Sequence, residues 1–99
     1  MKKMNIIIAG DGEVGFHLAK LLSDENHDIT VVDPHHDLLK LIESHTDLMT
    51  IAGDSTCISV LERAHIKRAD LLISVVHDEQ INLMTCIIGK KLGAKQTIA

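Results

Sequence analysis

Ninety-nine residues and 10.9 kDa allow one domain with a modest core. That core must be aliphatic, because 45% of residues are hydrophobic but Phe16 is the only aromatic. A formal charge of −4, with neither a basic face nor stacking aromatics, excludes the usual chemistry of nucleic-acid binding.

Met4–Ala9 reads as a buried strand that ends in Gly10-Asp11-Gly12-Glu13-Val14-Gly15. A helix follows, with Val14, Leu18, Leu21 and Leu22 at i, i+4, i+7 and i+8 on one face. Asp28–Val32 is the second strand. Pro34 sets the start of a second helix carrying Leu38, Leu39, Leu41 and Ile42. Leu48–Ala52 is the third strand. Gly53-Asp54 turns into a short helix near Cys57–Ala64, with Val60 and Leu61 facing inward. Leu71–Val76 is the fourth strand, Glu79–Leu92 the last helix with Gly93 as its stop, and Gln96–Ala99 the opening of a fifth strand.

Strands alternating with helices imply βαβ units and a parallel sheet. Right-handed crossovers then predict an α/β, Rossmann-like doubly wound sheet of strand order 3-2-1-4. The partial fifth strand lies beside the fourth, and helices cover both faces. Residues 1–99 are read as one nucleotide-binding domain, the N-terminal lobe of a longer protein truncated within an element. Ile81, Leu83, Met84, Cys86, Ile87, Ile88 and Leu92 make the last helix apolar nearly all round. Such a helix is expected to pack on the sheet with one side and on further residues or another subunit with the other.

The glycine turn carries the chemistry. A GxGxxG placed strand–turn–helix, with an acid about 20 residues on, is the pattern of a dinucleotide grip. Here the acid is Asp33, eighteen residues past Gly15. Gly10 permits the tight turn, Gly12 lets backbone approach a pyrophosphate, and Gly15 lets the helix pack close to the strand. The N–H groups of Glu13, Val14 and Gly15 point at the anion, helped by the helix dipole. Asp11 and Glu13 place carboxylates in the same turn, unfavourable next to phosphate unless they face solvent. The turn could also be a sharp βα connection that binds nothing.

Asp33 ends the second strand, where it can accept from both ribose hydroxyls and would repel a 2′-phosphate. NAD(H) or ATP/ADP is therefore favoured over NADP. The other reading of Asp33 is a helix N-cap with Pro34 at N1. Gly53-Asp54-Ser55 stands at the same edge, as an adenine contact or an ordinary helix cap. Val76-His77 ends the fourth strand beside the switch point.

Other chemistry is not legible. The histidines, His17, His27, His35, His36, His45, His65 and His77, match no zinc spacing and read as solvated surface residues. Ser55, Ser59, Cys57 and Cys86 have no identifiable base partner, so no catalytic residue is assigned. Both cysteines read as free buried thiols of a reduced, cytoplasmic chain. No apolar run approaches the ~18 residues of a membrane span, and the stretch after Lys2-Lys3 is too short for a secretory leader.

The segments "IIIAGDGEVGFHLAKLL", "DITVVD", "IAGDST", "VLERAHIKRADLLISVV" and "DEQINLMTC" run in order along nearly the whole chain. Together they resemble the N-terminal nucleotide-binding lobe of RCK/KTN (TrkA N-terminal) domains, in particular those of the regulatory proteins of Trk-type potassium uptake systems. The resemblance implies a non-enzymatic domain that binds NAD(H), ATP or ADP. It implies dimers or rings on the cytoplasmic face of an integral-membrane potassium transporter or channel, where ligand exchange changes ion flux, with no insertion of the domain itself into the membrane. Gly10 to Val14 would hold the phosphates, Asp33 the ribose, and Asp54-Ser55 would lie near the adenine, with Val76-His77 lining the far side. Two positions depart from the pattern: Glu13, often Arg or Gln, and Val76, commonly Thr. The alternative to a regulatory nucleotide-sensing module is the cofactor half of an NAD-dependent oxidoreductase, and a third reading is a scaffold that has lost its ligand.

Overall fold

A computed structural model describes residues 2–99, except the His45 side chain. Its five strands form one parallel sheet in the order β3-β2-β1-β4-β5. The central strand, β1 (Asn5–Gly10), is buried from Ile6 onward, as a continuous apolar run demands when both faces are covered. It pairs with β2 (Asp28–Asp33) from Asn5↔Asp28 to Ala9↔Val32. On its other side it pairs with β4 (Leu71–Val75), from Ile6↔Leu71 to Gly10↔Val75. Strands β3 (Met49–Ala52) and β5 (Gln96–Ile98) form the edges. The strand order expected from the alternating pattern is the one observed.

Helices α1 (Glu13–Asp24) and α2 (His36–His45) cover one face. Their cluster includes Ile6, Ile8, Ala19, Ile29, Val31, Leu39 and Ile42. Helix α3 (Ile58–Arg63), a 3-10 turn (Ile66–Arg68) and helix α4 (Glu79–Leu92) cover the other, around Ile7, Val32, Leu61, Ile66 and Leu72. Each of these large aliphatic side chains contributes about 1.5–3 kcal/mol by leaving water. At the C-terminal edge of the sheet the β1–α1 turn meets the turn after β4, through Asp11 and His77.

Several sequence expectations shift by a residue or a face. Val14 and Leu21 are 61% and 65% exposed. The buried line of α1 is instead Gly15 and Ala19, flanked by half-buried Leu18 and Leu22. The cause is a glycine-to-glycine contact: a Cβ on Gly10 or Gly15 would sit 3.3 Å from the other's Cα. That approach turns the Gly15–Ala19 stripe onto the sheet and rotates Val14 and Leu21 outward. Leu41 is likewise exposed, with Leu39 and Ile42 carrying the α2 contact. Helix α2 begins at His36 rather than at Pro34, and β4 ends at Val75. Cys57, expected to be buried, is exposed because it precedes the first residue of α3 at the surface. Helix α4 is two-faced: Thr85 and Gly89 are buried, whereas Ile81, Leu83, Met84 and Ile87 are exposed.

Candidate nucleotide-binding site

The β1–α1 turn and the end of β2 are bonded into one unit. Asp33 is 1% exposed. Its Oδ2 accepts the Gly12 N–H at 2.9 Å, and its Oδ1 accepts the His35 N–H at 2.8 Å. His35 Nδ1 lies 2.8 Å from the same Oδ1, so against an ionised carboxylate it donates. The buried acid thus has three donors, and none of its oxygens is left without a partner. Gly12 adopts φ 148°, ψ −146°, a backbone state that L side chains rarely take. This conformation aims the Gly12 N–H at Asp33 while the helix starts at the next residue. The N–H groups of Glu13, Val14 and Gly15 then open α1 without intrahelical acceptors.

The third edge of the site is tied to the same acid through backbone: Gly53 N–H donates to the Asp33 carbonyl at 3.0 Å. Beyond it, Asp54 Oδ1 accepts from Thr56 N–H at 2.8 Å and from the Thr56 hydroxyl at 2.7 Å. Those bonds hold the Asp54 carboxyl below its ordinary pKa. Asp54 therefore shapes the turn before α3 and does not cap that helix, whose N-cap is Cys57. Ser55 is buried, with its Oγ 2.8 Å from Thr85 Oγ1 on α4.

On the opposite lip, His77 reaches back to the glycine turn. Its N–H donates to Asp11 Oδ2 at 3.0 Å, and its Nδ1 lies 2.8 Å from Asp11 Oδ1. Partial burial raises the Asp11 carboxyl, but hydrogen bonding and charge from His77 outweigh it, and the net pKa is lowered. Val76 is held by the Asn82 side chain, whose Oδ1 accepts from Val76 N–H and whose Nδ2 donates to the Val76 carbonyl, both at 2.9 Å. The Ser74 hydroxyl donates to the same Oδ1 at 2.7 Å. Asp78 caps α4 by accepting from Gln80 and Ile81 N–H.

A cavity of about 440 Å³ runs from Asp11 through Glu13 and from His35 through Leu38. That volume lies within the range of about 300–1,000 Å³ usual for ligand pockets. A larger cavity, about 560 Å³, lies at the opposite end of the strands, near Asn5, His27, Asp28 and Arg68. Open α/β sheets take ligands outside the carboxyl ends of their strands, so the smaller cavity is the candidate. It brings together Asp11, Gly12 and Glu13 with the neighbourhood of Asp33. Gly10, Val14, Gly15, Asp33, Asp54, Ser55, Val76 and His77 do not line it.

The lining offers an anion the start of α1 at Glu13, with its dipole, and two imidazoles, His35 and His36, against the carboxylates of Asp11, Glu13 and Asp37; the Gly12 N–H is already given to Asp33. Among the described residues, no group of three or more His, Cys, Asp or Glu side chains could hold a metal ion. No helix among them is long and apolar enough to cross a membrane. Cys57 Sγ lies 3.2 Å from Ser59 Oγ, and that hydroxyl lowers the thiol pKa. Burial raises that of Cys86.

The profile of the TrkA-N domain matches residues 6–99. The chain belongs to the TrkA-N domain family. It is 37% identical over 95 residues to the Trk system potassium uptake protein TrkA homolog of Archaeoglobus fulgidus, covering 96% of this chain and 21% of that protein. The chain thus spans about a fifth of that relative's length. The Kef CTD of Shewanella denitrificans, solved in an AMP-bound form, superposes with a TM-score of 0.77 at 26% identity, over 95% of this chain and 55% of that one. The GsuK channel bound to NAD gives the same TM-score at 22% identity, over 98% of this chain and 17% of that one, a likeness of fold.

Two residues of this TrkA-N domain matter more than their sequence context suggested. His35 reads as a solvated surface histidine, yet its ring and backbone both bond to Asp33. Its place two residues after the strand-ending acid, where an Asx-type turn closes, is the signal that could have found it. Asn82 is visible in sequence only as part of a family pattern. Its work, bracing the β4–α4 turn through both amide atoms, depends on a helix folding back over a strand end.

Proposed function

We propose that this TrkA-N domain is a regulatory module that senses an adenosine nucleotide, NAD(H) or ATP/ADP, for a potassium uptake system. The observation that carries this reading is Asp33, a carboxylate buried at the end of β2 and bonded to the Gly12 N–H of the glycine turn. The acid and the phosphate-side backbone are thereby held in one fixed relation. A carboxylate offers about four acceptor positions, and three are taken here. The remaining position on Oδ2 suits one ribose hydroxyl, and His35 leaving Oδ1 frees another. A 2′-phosphate would meet a buried negative charge, which disfavours NADP.

The names of similar proteins support the regulatory role. One relative is a Trk system potassium uptake protein homolog, and solved folds of this shape include an AMP-bound Kef domain and an NAD-bound channel. The phosphates would be held by the turn from Gly10 to Gly15, with Asp54-Ser55 on the adenine side. The module catalyses no reaction, and it acts at the cytoplasmic face of an integral-membrane potassium transporter subunit. Ligand exchange gates only if two conformations bind with different affinity. The exposed apolar face of α4, with Ile81, Leu83, Met84 and Ile87, fits a homodimer or ring contact that would carry that second conformation.

Calorimetry with NAD+, NADH, NADP+, ATP and ADP tests the reading. At least one adenosine nucleotide should bind and NADP+ should be weakest. Asp33→Ala should weaken the nucleotide that binds by about 1–3 kcal/mol, as for bonds lost to a charged acceptor. Silence across the panel would remove the proposal.

A further inference from the structure

We infer that Asp11 and His77 form a clasp that closes the β4 half of the crevice, so that the site takes an adenine mononucleotide with its phosphates in preference to a dinucleotide. The inference rests on the nucleotide-sensing reading and narrows its ligand class.

Topology sets the problem. A dinucleotide bound at a doubly wound sheet crosses the point where strand order reverses, with one nucleoside on each side. In this chain that point lies between β1 and β4, which are neighbours in the sheet. Asp11 belongs to the turn after β1, and His77 follows β4. They stand on opposite sides of the crossing and are bonded across it. Both carboxylate oxygens are engaged, one by the His77 N–H at 3.0 Å and one by His77 Nδ1 at 2.8 Å. The β4 side of this clasp is itself anchored. Val76, next to His77, is fixed through both backbone polar atoms by Asn82.

The cavity agrees with the clasp. It extends from the glycine turn toward β2 and α2, along His35 to Leu38, and neither Val76 nor His77 lines it. The adenosine side is open, and the side where a second nucleoside would lie is bridged. The bridge also sets a carboxylate beside the path of a phosphate chain bound for β4. A mononucleotide held at the start of α1 passes only Asp11, which lines the cavity, and has no need to displace His77. Asp11 is therefore a specificity-determining residue that acts against the longer ligand.

The discriminating measurement is the ratio of affinities for ADP and NAD+, taken on the chain and on two clasp variants. The unsubstituted chain should bind ADP a few-fold more tightly than NAD+, the scale of giving up solvent-exposed bonds to a charged group before the second nucleoside can enter. Asp11→Ser removes the carboxylate and with it both contacts, whereas His77→Ala removes the ring contact and leaves the His77 N–H on Asp11 Oδ2. Asp11→Ser should therefore shrink the ratio the most and His77→Ala by less, each chiefly by tightening NAD+. Circular dichroism and thermal melting confirm that both variants stay folded, and should one fail to fold, the other carries the test. Equal affinities in the unsubstituted chain, or a ratio that neither variant moves, would overturn the clasp while leaving a nucleotide sensor standing. Binding of neither ligand would overturn the sensor reading and the clasp with it.

Discussion

Two carboxylates frame the glycine turn, and they are built differently. Asp33, at the β2 end, is 1% exposed and engages two backbone N–H groups and an imidazole. Asp11, at the β4 end, has a side chain 27% exposed and leans on His77, which is 82% exposed. Backbone donors are fixed by the fold, and Asp33 has two of them where Asp11 has one, the His77 N–H; the other Asp11 partner is an exposed imidazole that can swing away for the cost of one side-chain rotation. The β2 corner is thus a permanent fixture of the turn, and the β4 corner is a contact that can be given up. The proposed sensing role would use both: one place where a ligand finds a prepared partner, and one where binding changes a contact.

The largest expected effect separates the two corners by stability. Asp33→Ala leaves the partly buried Gly12 and His35 N–H groups without their acceptor, at about 1–3 kcal/mol in all because water can reach them in part. Asp11→Ala removes exposed bonds worth roughly 0–1 kcal/mol. In a domain of this size 1 kcal/mol shifts Tm by about 4–8 °C, so thermal melting should show a clear drop for the first and little for the second. Equal losses would break the contrast and make Asp11 a structural residue like Asp33.

The same contrast explains what was legible in sequence. The parallel order, the glycine turn and Asp33 follow from local patterning, because strand, turn and acid spacing are properties of one stretch of chain. The other reading of Asp33, a helix N-cap, does not hold, because α2 is capped at His35, and only the fold shows the Asp33 carboxylate turned to Gly12 and His35. The outward rotation of Val14 and Leu21 was not legible. The hydrophobic spacing allowed that face, and the Gly10–Gly15 contact overrode it. The Asp11–His77 bond joins residues 66 positions apart, beyond the reach of any periodicity. Ser55 pairs with Thr85 across 30 positions for the same reason.

A pH titration sharpens the comparison at the β4 end. Asp11 has a folded pKa below its ordinary value of 3.8, with His77 as bonding and charge partner and His35 as a further cation when protonated. A lowered carboxyl pKa contributes stability that is fully present above the unfolded value and is lost as pH falls through the folded one. The stability this carboxylate contributes should therefore be fully present across the neutral range and lost only in acid, as pH falls through the lowered folded value. In a carboxyl-carbon NMR titration Asp11 should show a midpoint below 3.8, and His77→Ala should move that midpoint upward. An Asp11 midpoint that ignores His77→Ala would mean that the contact is not held in solution.

The smallest expected effect lies at the β2 end, where a histidine also grips a carboxylate at 2.8 Å. His35 and His77 make bonds of equal length with opposite consequences. The His77 ring spans two lips of the crevice, so its loss reduces the bridge to the single bond from the His77 N–H. The His35 ring occupies an acceptor position on Asp33 Oδ1 that a ribose hydroxyl would otherwise use, while its own N–H keeps the turn closed through the backbone. His35→Ala leaves that backbone bond in place and removes only the competing ring. The ring is half exposed, and its bond is worth about 0.5–1.5 kcal/mol net. Adenosine nucleotides should therefore bind His35→Ala a few-fold more tightly, a gain of less than about 1 kcal/mol once water solvates the freed oxygen. Calorimetry reads this directly. A weaker complex would mean that His35 itself touches the ligand, which would turn it from a competitor of the ribose into one of its partners.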